Sequence, residues 1–339
     1  MPDQDPPIEL TVERVRTDAG RGGTALSTRV TKVVTREGER AEAAHRGHDF
    51  VLIAGVGVAA TYFEFLAPTL AQHGDVYALD LPGFAGLRRP EEQPTAAFFA
   101  DQVERVLEHY GLENPVLIGH SMGTQVVTEV LVRHPEFTHG VLVSPVINEA
   151  ERAVAVQGIR FAQSAVHENL HLMLTALSSY ILCGVVYFLT VLPHMLRYRL
   201  SERIGSVEAH LLLIRGQHDR TSPRRFHSSL ARAARKAAAV RTWEIEGAAH
   251  SIINAHAIGV AELTLDHLAG ALARRGRMPS REAEVPPPRV TDLAMVLGAT
   301  GSRIAEWVSA LRGDDAGVAR AKSAHAKILW RAFAPARSR

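Results

Sequence analysis

The peptide G-H-S-M-G at residues 119–123 constrains this chain more than any other feature. It matches the pattern G-x-S-x-G and lies between an apolar strand-like run at 115–118 and a helix-like run at 124–134. In such a sharp turn from strand to helix, the serine hydroxyl projects at the carboxyl end of the strand. The two glycines are needed because side chains there would collide with neighbouring backbone. The pattern and its context therefore predict a serine nucleophile at Ser121.

Two further side chains follow later predicted strands, in positions that suit such a serine. A serine hydroxyl is a poor nucleophile near neutral pH, so it needs a base, and the base needs an orienting acid. Asp219 follows an apolar run at 211–214, and His250 follows a strand-like run at 240–245. Because the carboxyl ends of parallel strands meet at one edge of a sheet, we expect Asp219, His250 and Ser121 to converge there.

Strand-like and helix-like segments alternate along most of the chain. Apolar runs at 50–54, 76–80 and 140–144 are typical of strands buried on both faces. Segments 8–15 and 27–36 alternate apolar and polar residues and predict an antiparallel hairpin at the start. Alternation at this spacing predicts an α/β fold with a mostly parallel central sheet flanked by helices.

Over about residues 45–272 the chain resembles the α/β-hydrolase superfamily, on the strength of the serine peptide and its two partners. The resemblance implies the α/β-hydrolase fold and a serine hydrolase of the esterase or lipase kind. It assigns Ser121 as nucleophile, His250 as general base and then acid, and Asp219 as the residue that fixes the histidine tautomer. Some members place the acid after an earlier strand, where Glu149 is the alternative here.

The resemblance also implies an oxyanion hole built from two backbone amides. One belongs to Met122, the residue after the nucleophile. The other belongs to the loop after the third strand, where this chain has Ala54-Gly55 and the family usually has His-Gly. We expect the second amide to be that of Val56, and the donor is a backbone group, so loss of the imidazole leaves it in place.

Ester cleavage is the reaction that these residues favour. Dehalogenases and epoxide hydrolases of this fold attack with aspartate, so Ser121 argues against both. Hydrolases of carbon–carbon bonds often carry tryptophan after the catalytic histidine, whereas Ser251 stands there in this chain. Cleavage of a thioester, lactone or amide, and acyl transfer, use the same machinery and stay open. We expect neither a cofactor nor a metal ion.

Helical sequence interrupts the α/β pattern at 147–207 and divides the core. The expected organisation is a first core part at 1–146, an inserted helical cap at 147–207, a second core part at 208–273, and a linker with a basic C-terminal helical extension at 274–339. The alternation of strands and helices resumes directly after the insertion, so the two core parts belong to one sheet.

Residues 172–192 contain no Asp, Glu, Lys or Arg and are nearly long enough to cross a bilayer. A single crossing would separate the serine from its acid and histidine, so we expect this segment to fold back as part of the cap. Its apolar side chains then favour a hydrophobic small-molecule ester as substrate, although simple packing on the core and contact with lipid stay open. The candidate pocket residues are Gly55, His120, Tyr180, Tyr187 and Phe188.

A second motif suggests a different class of protein. His167, Glu168 and His171 match H-E-x-x-H, in which two histidines bind zinc and the glutamate is the base. Among seventeen histidines the bare pattern is weak, and a third ligand such as Glu202 or Glu208 is not marked by any motif. A zinc metallopeptidase is therefore the alternative function. A non-catalytic hydrolase-like binding protein is a further alternative, weakened because all three triad residue types are present.

The single cysteine, Cys183, fits a reducing compartment, and residues 1–23 carry no apolar core of a secretory signal. These features predict a cytoplasmic protein. Nothing in the sequence suggests a nucleic-acid partner.

The C-terminal extension is basic while the rest of the chain is acidic. Residues 274–339 carry a net charge of +7, and the preceding residues carry −5. Segments 290–311 and 316–333 predict two amphipathic helices, whose apolar faces must be buried on the body, a second subunit or a lipid surface. Docking on the enzyme's own surface near the cap is the hypothesis that the charges favour. A homo-oligomer and a peripheral membrane contact stay open.

Overall fold

Nine strands form a single sheet in this computed structural model, which describes residues 8–17, 26–35, 47–166, 182–285 and 293–333. Their order across the sheet is β1-β2-β4-β3-β5-β6-β7-β8-β9. The strands are β1 (Ile8–Arg16), β2 (Ser27–Thr35), β3 (Phe50–Ile53), β4 (Val76–Asp80), β5 (Val116–His120), β6 (His139–Val143), β7 (His210–Gly216), β8 (Ala239–Ile245) and β9 (Arg275–Met278).

Only β2 runs against the other strands of this sheet. It pairs antiparallel with β1, with Ile8 opposite Thr35, and antiparallel with β4. Every other neighbouring pair is parallel, from β4–β3 to β8–β9. The prediction of a mostly parallel α/β sheet is confirmed. The carboxyl ends of β5, β7 and β8 consequently lie at the same edge.

The central strands are apolar throughout because both faces of the sheet are covered. All residues of β3, β4 and β5 are buried. Within β5, Leu117 belongs to the core on one face, together with Val126 and Val130. Its neighbour Ile118 belongs to the core on the opposite face, together with Val260. Successive side chains of a strand point to opposite faces, so one short strand holds together two helical layers.

Twelve α-helices are present among the described residues. They are α1 (Leu66–Leu70), α2 (Ala96–Tyr110), α3 (Gly123–Arg133), α4 (Val154–Ala165), α5 (Val185–Arg197), α6 (Leu200–Arg203), α7 (Arg224–Ala233), α8 (Ile252–Ala255), α9 (Ala257–Leu268), α10 (Ser280–Ala283), α11 (Leu293–Leu311) and α12 (Asp315–Phe333).

The sequence predicts a first helix at about 61–72, and the structure divides this segment in two. A 3₁₀ turn spans Ala60–Phe63, and α1 follows it only at Leu66–Leu70. Pro68 has no amide hydrogen to donate back to the preceding turn, so it interrupts a continuous helix at this point.

The ninth strand was not predicted. β9 pairs parallel with β8 and places Gly276 beneath Trp243, where a Cβ would lie 2.4 Å from the indole ring. Its sequence, Arg-Gly-Arg-Met, shows no apolar alternation. The sheet therefore continues past residue 273, into the segment where the sequence suggested only a linker and helices.

The described part of the insertion at 147–207 contains helices and no strand. Helix α4 lies beside the loop that carries the candidate acid: the hydroxyl oxygen of Ser164 accepts a hydrogen bond of 2.9 Å from the amide of Arg220. Among the residues that the structure describes, no helix is long and apolar enough to cross a membrane.

The C-terminal extension docks on the body of the protein. Helix α12 packs along β1, and Asp315 at its start pairs with Arg14 at 2.8 Å and with Arg29 at 2.9 Å. Farther along, Lys322 donates to the hydroxyl of Thr31 at 2.9 Å. The structure shows the extension docked on the protein's own surface, as the charges favoured.

Helix α11 faces the body with its polar side, which contradicts the expectation that docking on the body buries its apolar face. Ser302, Arg303 and Glu306 are buried. Arg303 pairs with Glu306 at 2.8 Å and also with Glu64, which follows the 3₁₀ turn. Glu64 is far from Arg303 in the sequence, so the periodicity of α11 alone did not indicate which side of the helix would be buried.

Candidate active site

The peptide at 119–123 forms the sharp turn between β5 and α3. Ser121 has a φ of 54°, in the left-handed region, and its amide donates to the carbonyl oxygen of Val143 at 3.0 Å. A Cβ on Gly119 would lie 2.4 Å from the carbonyl oxygen of Gly123, and a Cβ on Gly123 would lie 2.1 Å from that of Ile53. Larger residues at either glycine would therefore displace the serine.

The structure brings Ser121, His250 and Asp219 into one hydrogen-bonded row. Ser121 Oγ lies 3.1 Å from His250 Nε2, and His250 Nδ1 lies 3.0 Å from Asp219 Oδ2. All three side chains are buried. Each comes from the carboxyl end of a different strand, namely β5, β7 and β8. In such a row the histidine can take a proton from the serine while the acid fixes its orientation.

Asp219 is held as a carboxylate by several donors. Burial raises the pKa of this carboxyl, but the charge and hydrogen bond of His250 and the donors Thr221 and Ser222 outweigh burial and lower the pKa below its usual range. Oδ1 accepts from the amide and hydroxyl of Thr221, at 2.9 and 2.7 Å, and from the amide of Ser222 at 3.0 Å. The acid therefore stays negatively charged beside the imidazole.

Two residues orient the backbone of His250. Its carbonyl oxygen accepts from the Ser144 hydroxyl at 3.1 Å and from His120 Nε2 at 2.9 Å. Burial and the neighbouring His250 lower the pKa of His120 to about 3. His120 is therefore neutral near pH 7, and the bond to a carbonyl oxygen identifies Nε2 as the protonated nitrogen. The sequence suggested a pocket role for His120, whereas the structure places its ring against the backbone of His250.

The loop after β3 lies directly against the serine. A Cβ on Gly55 would come 3.1 Å from Ser121 Cβ and 3.4 Å from Oγ, so a side chain at Gly55 would crowd the nucleophile. Val56 is buried in the same loop, and Met122 is buried at the start of α3. Asp80 holds the loop's far end, because its Oδ1 accepts from the amide of Ala60 at 2.5 Å.

The two described aromatic candidates of the cap pack on the core. Tyr187 donates its hydroxyl to the carbonyl oxygen of Pro82 at 3.2 Å, and its ring lies against Gly83. Burial raises the pKa of the Tyr187 phenol well above its usual range. Phe188 is partly buried and packs against the core. These contacts give Tyr187 a structural role in place of the pocket role that we expected, and Tyr180 lies outside the described residues.

A residue of the insertion at 147–207 that the sequence did not single out lies next to His250. The ring centroid of Phe161, on α4, is 6.2 Å from that of His250, and its side chain is 43% exposed. Thr221 and Ser144 were missed as well. Thr221 lies two residues after Asp219, which is the only sequence signal that could have indicated it, and Ser144 directly follows β6.

The H-E-x-x-H motif formed by His167, Glu168 and His171 lies outside the described residues. Of its suggested third ligands, Glu202 pairs with Arg199 at 2.5 Å, and Glu208 lies 3.9 Å from Lys236. The described ranges contain no group of three His, Cys, Asp or Glu side chains placed to hold a metal ion.

Known proteins share short stretches of this sequence. A probable 1-acylglycerol-3-phosphate O-acyltransferase from Oryza sativa subsp. japonica is 33% identical over 101 residues, which is 28% of this chain and 24% of that protein. A pimeloyl-[acyl-carrier protein] methyl ester esterase from Vibrio cholerae is 27% identical over 92 residues, which is 27% of this chain and 34% of that protein. The match thus spans only a quarter to a third of the length of these relatives.

The fold resembles solved structures over a longer stretch. The 2-hydroxy-6-oxo-6-phenylhexa-2,4-dienoate hydrolase from Rhodococcus sp. strain RHA1 superposes with a TM-score of 0.60 at 17% identity, covering 77% of this chain and 99% of that one. The model of the alpha/beta hydrolase family matches residues 50–263, which include Ser121, Asp219 and His250. This match covers more than half of the sequence, and the superposition agrees with it in fold. The chain is a member of the alpha/beta hydrolase family.

Proposed function

We propose that this alpha/beta hydrolase is a serine esterase that cleaves a carboxylic ester of an apolar substrate through an acyl-enzyme on Ser121. The observation that carries the proposal is the buried row of hydrogen bonds, 3.1 Å from Ser121 to His250 and 3.0 Å from His250 to Asp219. A serine in this arrangement has both a base to take its proton and an acid to orient that base.

In the acylation half of the reaction, His250 Nε2 takes the proton of Ser121 as Oγ adds to the ester carbonyl. The negative oxygen that results is stabilised by the amides of Met122 and Val56. Asp219 accepts from Nδ1–H and stabilises the imidazolium. Collapse of the adduct breaks the bond to the alkoxy oxygen, which leaves as the alcohol after taking the proton from Nε2.

In the second half, water repeats the same steps on the acyl-enzyme. His250 takes a proton from water, the hydroxide adds to the acyl carbon, and the adduct releases the acid while Ser121 regains its proton. The products are one carboxylic acid and one alcohol. Because the chemistry depends only on the acyl carbon, a thioester or lactone is accepted by the same residues if it fits beneath the cap.

The preference for an apolar substrate follows from the cap, and the ester chemistry has support from the relatives. Phe161 presents an aromatic ring beside His250, and α5 is rich in apolar residues. The relatives from Vibrio cholerae and Oryza sativa are named for a methyl ester and for transfer to acylglycerol phosphate, respectively. Both names involve an acyl group bonded to oxygen, which is consistent with ester chemistry at Ser121.

The test compares Ser121→Ala with Ser229→Ala, a control that removes a hydroxyl from α7. We expect a fluorophosphonate probe to label the wild type and Ser229→Ala, and to leave Ser121→Ala unlabelled. Hydrolysis of p-nitrophenyl esters should fall by at least about 10³-fold only in Ser121→Ala. A series of acyl lengths, run beside matching thioesters, identifies the preferred substrate.

Either alternative function would give a different result. Labelling that persists in Ser121→Ala would contradict the nucleophile assignment, and a wild type that neither labels nor hydrolyses any ester would favour a binding protein. Stoichiometric zinc in the purified protein, lost together with peptidase activity in His171→Ala, would favour the metallopeptidase.

A further inference from the structure

Helix α11 presents an apolar stripe to the outside. We define the α11 stripe as the exposed residues Leu293, Val296, Leu297, Ile304, Val308 and Leu311. Leu293, Leu297 and Leu311 are 74%, 62% and 67% exposed. They repeat at helical spacing along nineteen residues, roughly 28 Å at 1.5 Å per residue.

The orientation of α11 is fixed from inside. Arg303 and Glu306 are the only charged residues of this helix, and both are buried. Glu306 accepts from the hydroxyl of Thr61 and lies 3.7 Å from the ammonium of Lys322. Turning the helix over would separate Arg303 and Glu306 from Glu64 and Lys322 and would leave buried charges without their partners. The stripe is therefore held outward by the fold.

The α11 stripe continues onto the cap through one loop. Gly86 lies against the end of α11, where its Cβ would come 3.1 Å from the carbonyl carbon of Ala310. Three residues later, Arg89 Nη2 lies 3.4 Å from the carbonyl oxygen of Cys183, directly before α5. The first turn of α5 carries further exposed apolar side chains, namely Val185, Val186 and Leu189.

Three arginines lie where the α11 stripe and the start of α5 meet. Arg88 and Arg89 are exposed in the loop between them, and Arg312 is exposed directly after α11. Apolar surface next to arginines matches a lipid surface, where apolar side chains enter the acyl region and the cations meet anionic headgroups. A two-fold dimer through this face would instead bring the arginines of two copies together, which opposes association.

We propose that the α11 stripe and the first turn of α5 form one surface that binds an anionic lipid membrane from the side. The surface is large and contiguous in helix α11, and transfer of its apolar side chains out of water lowers the free energy of the system. Binding at this surface does not depend on the reaction at Ser121. It would place the start of α5 next to the lipid, where an apolar substrate is dissolved.

The experiment measures co-sedimentation with vesicles, in the Ser121→Ala background so that no lipid is consumed. Vesicles of phosphatidylcholine alone are compared with vesicles that also contain phosphatidylglycerol. The variants are Leu297→Glu and Ile304→Glu on the stripe and Val186→Glu on the cap. The matched control is Ala271→Glu, which adds the same charge at an exposed site beyond α9, next to the opposite edge of the sheet.

We expect binding to vesicles with phosphatidylglycerol, weaker binding to phosphatidylcholine alone, and a loss of about tenfold or more for each stripe or cap variant, since each places a charge where an apolar side chain should enter lipid. Ala271→Glu should bind as the parent does. Glu91 and Glu92 follow the arginines in the same loop and oppose their charge. Equal binding to both vesicle types would show that the arginines contribute nothing to binding, which would contradict the proposal.

Two further results would overturn it. The first is no binding to either vesicle, or equal binding by Ile304→Glu and the control. The second is a stable dimer by light scattering that Ile304→Glu converts to a monomer, which would show that a second copy of the chain covers the stripe.

Discussion

Thr221 Oγ1 lies 2.7 Å from Nδ1 of His250, nearer than the carboxylate oxygen of Asp219 at 3.0 Å. The threonine hydroxyl donates to the other oxygen of Asp219 at 2.7 Å, so its own oxygen is left to accept from Nδ1–H. Asp219 and Thr221 thus both accept a hydrogen bond from Nδ1–H of His250. Thr221 acts through His250 and is a positioning residue.

Thr221→Val keeps the shape of the side chain and removes the hydroxyl. We expect kcat on a soluble ester to fall about tenfold, because one charge-assisted hydrogen bond contributes roughly 1.5 kcal/mol, while KM changes little. Thr221→Ser should recover most of the rate, since it restores the oxygen. Full activity in Thr221→Val, with an unchanged circular dichroism spectrum, would show that Asp219 alone orients the histidine.

The insertion at 147–207 is anchored on the core where Tyr187 covers Gly83. Gly83 has a φ of 86°, and a Cβ there would lie 2.0 Å from the Tyr187 ring. We expect Gly83→Ala to lower the free energy of unfolding by about 2–3 kcal/mol and to make 154–203 more sensitive to protease. Gly270→Ala is the control: its φ is 70° and its Cβ would meet no atom within 4 Å, so it carries the backbone strain alone. Equal losses in the two variants would mean that the contact with Tyr187 is unimportant.

The buried charges under α11 should be sensitive to the loss of one member. Arg303→Met leaves the carboxylates of Glu64 and Glu306 without their shared cation, so we expect a loss of about 3–5 kcal/mol in urea unfolding. Arg320→Met removes an exposed arginine that lies 3.5 Å from Asp314, and it should cost less than about 1 kcal/mol. Similar losses in the two variants would contradict the structural role that we assign to the buried cluster.

Stability should fall in mild acid because of His227. Burial, and secondarily the charge of Arg215, lower the pKa of His227 from 6.5 to about 3 in the folded state. Below pH 6.5 the unfolded chain binds a proton that the folded chain does not, so the unfolding free energy falls as pH falls. His227 contributes a slope of about 1.4 kcal/mol per pH unit to the free energy of unfolding, between pH 6.5 and about pH 3. His227→Gln should reduce the measured slope between pH 6 and pH 4 by that amount, and an unchanged slope would exclude the residue as its source.

The features that could be predicted from sequence are those that depend on local pattern and chain order. The apolar run before Ser121, the glycines around it and the strands before Asp219 and His250 predicted the α/β class, and the family match and the sheet confirm it. β9 escaped because its four residues show no apolar alternation, and its pairing with β8, which places Gly276 under Trp243, joins residues far apart in sequence.

Helix α11 shows a second limit of prediction from the sequence. The apolar periodicity of α11 predicted an amphipathic helix correctly, but amphipathicity does not indicate which side faces the body. That choice depends on Glu64 and Lys322, which bind the two charged residues of α11 from other parts of the chain. Thr221 was missed for a similar reason, because its role requires the loop after β7 to meet the loop after β8.

The ion pairs of Asp315 also bear on the order in which the molecule can be made. They join residues 286 and 301 positions apart, since their partners are Arg29 and Arg14. A ribosome releases the β1–β2 hairpin long before α12 exists, so the face that α12 later covers stays open while the residues between them are made. Contacts of such separation slow folding, and an exposed strand edge invites pairing with other chains. The β1–β2 hairpin thus reaches its final contacts only after α12 has been made.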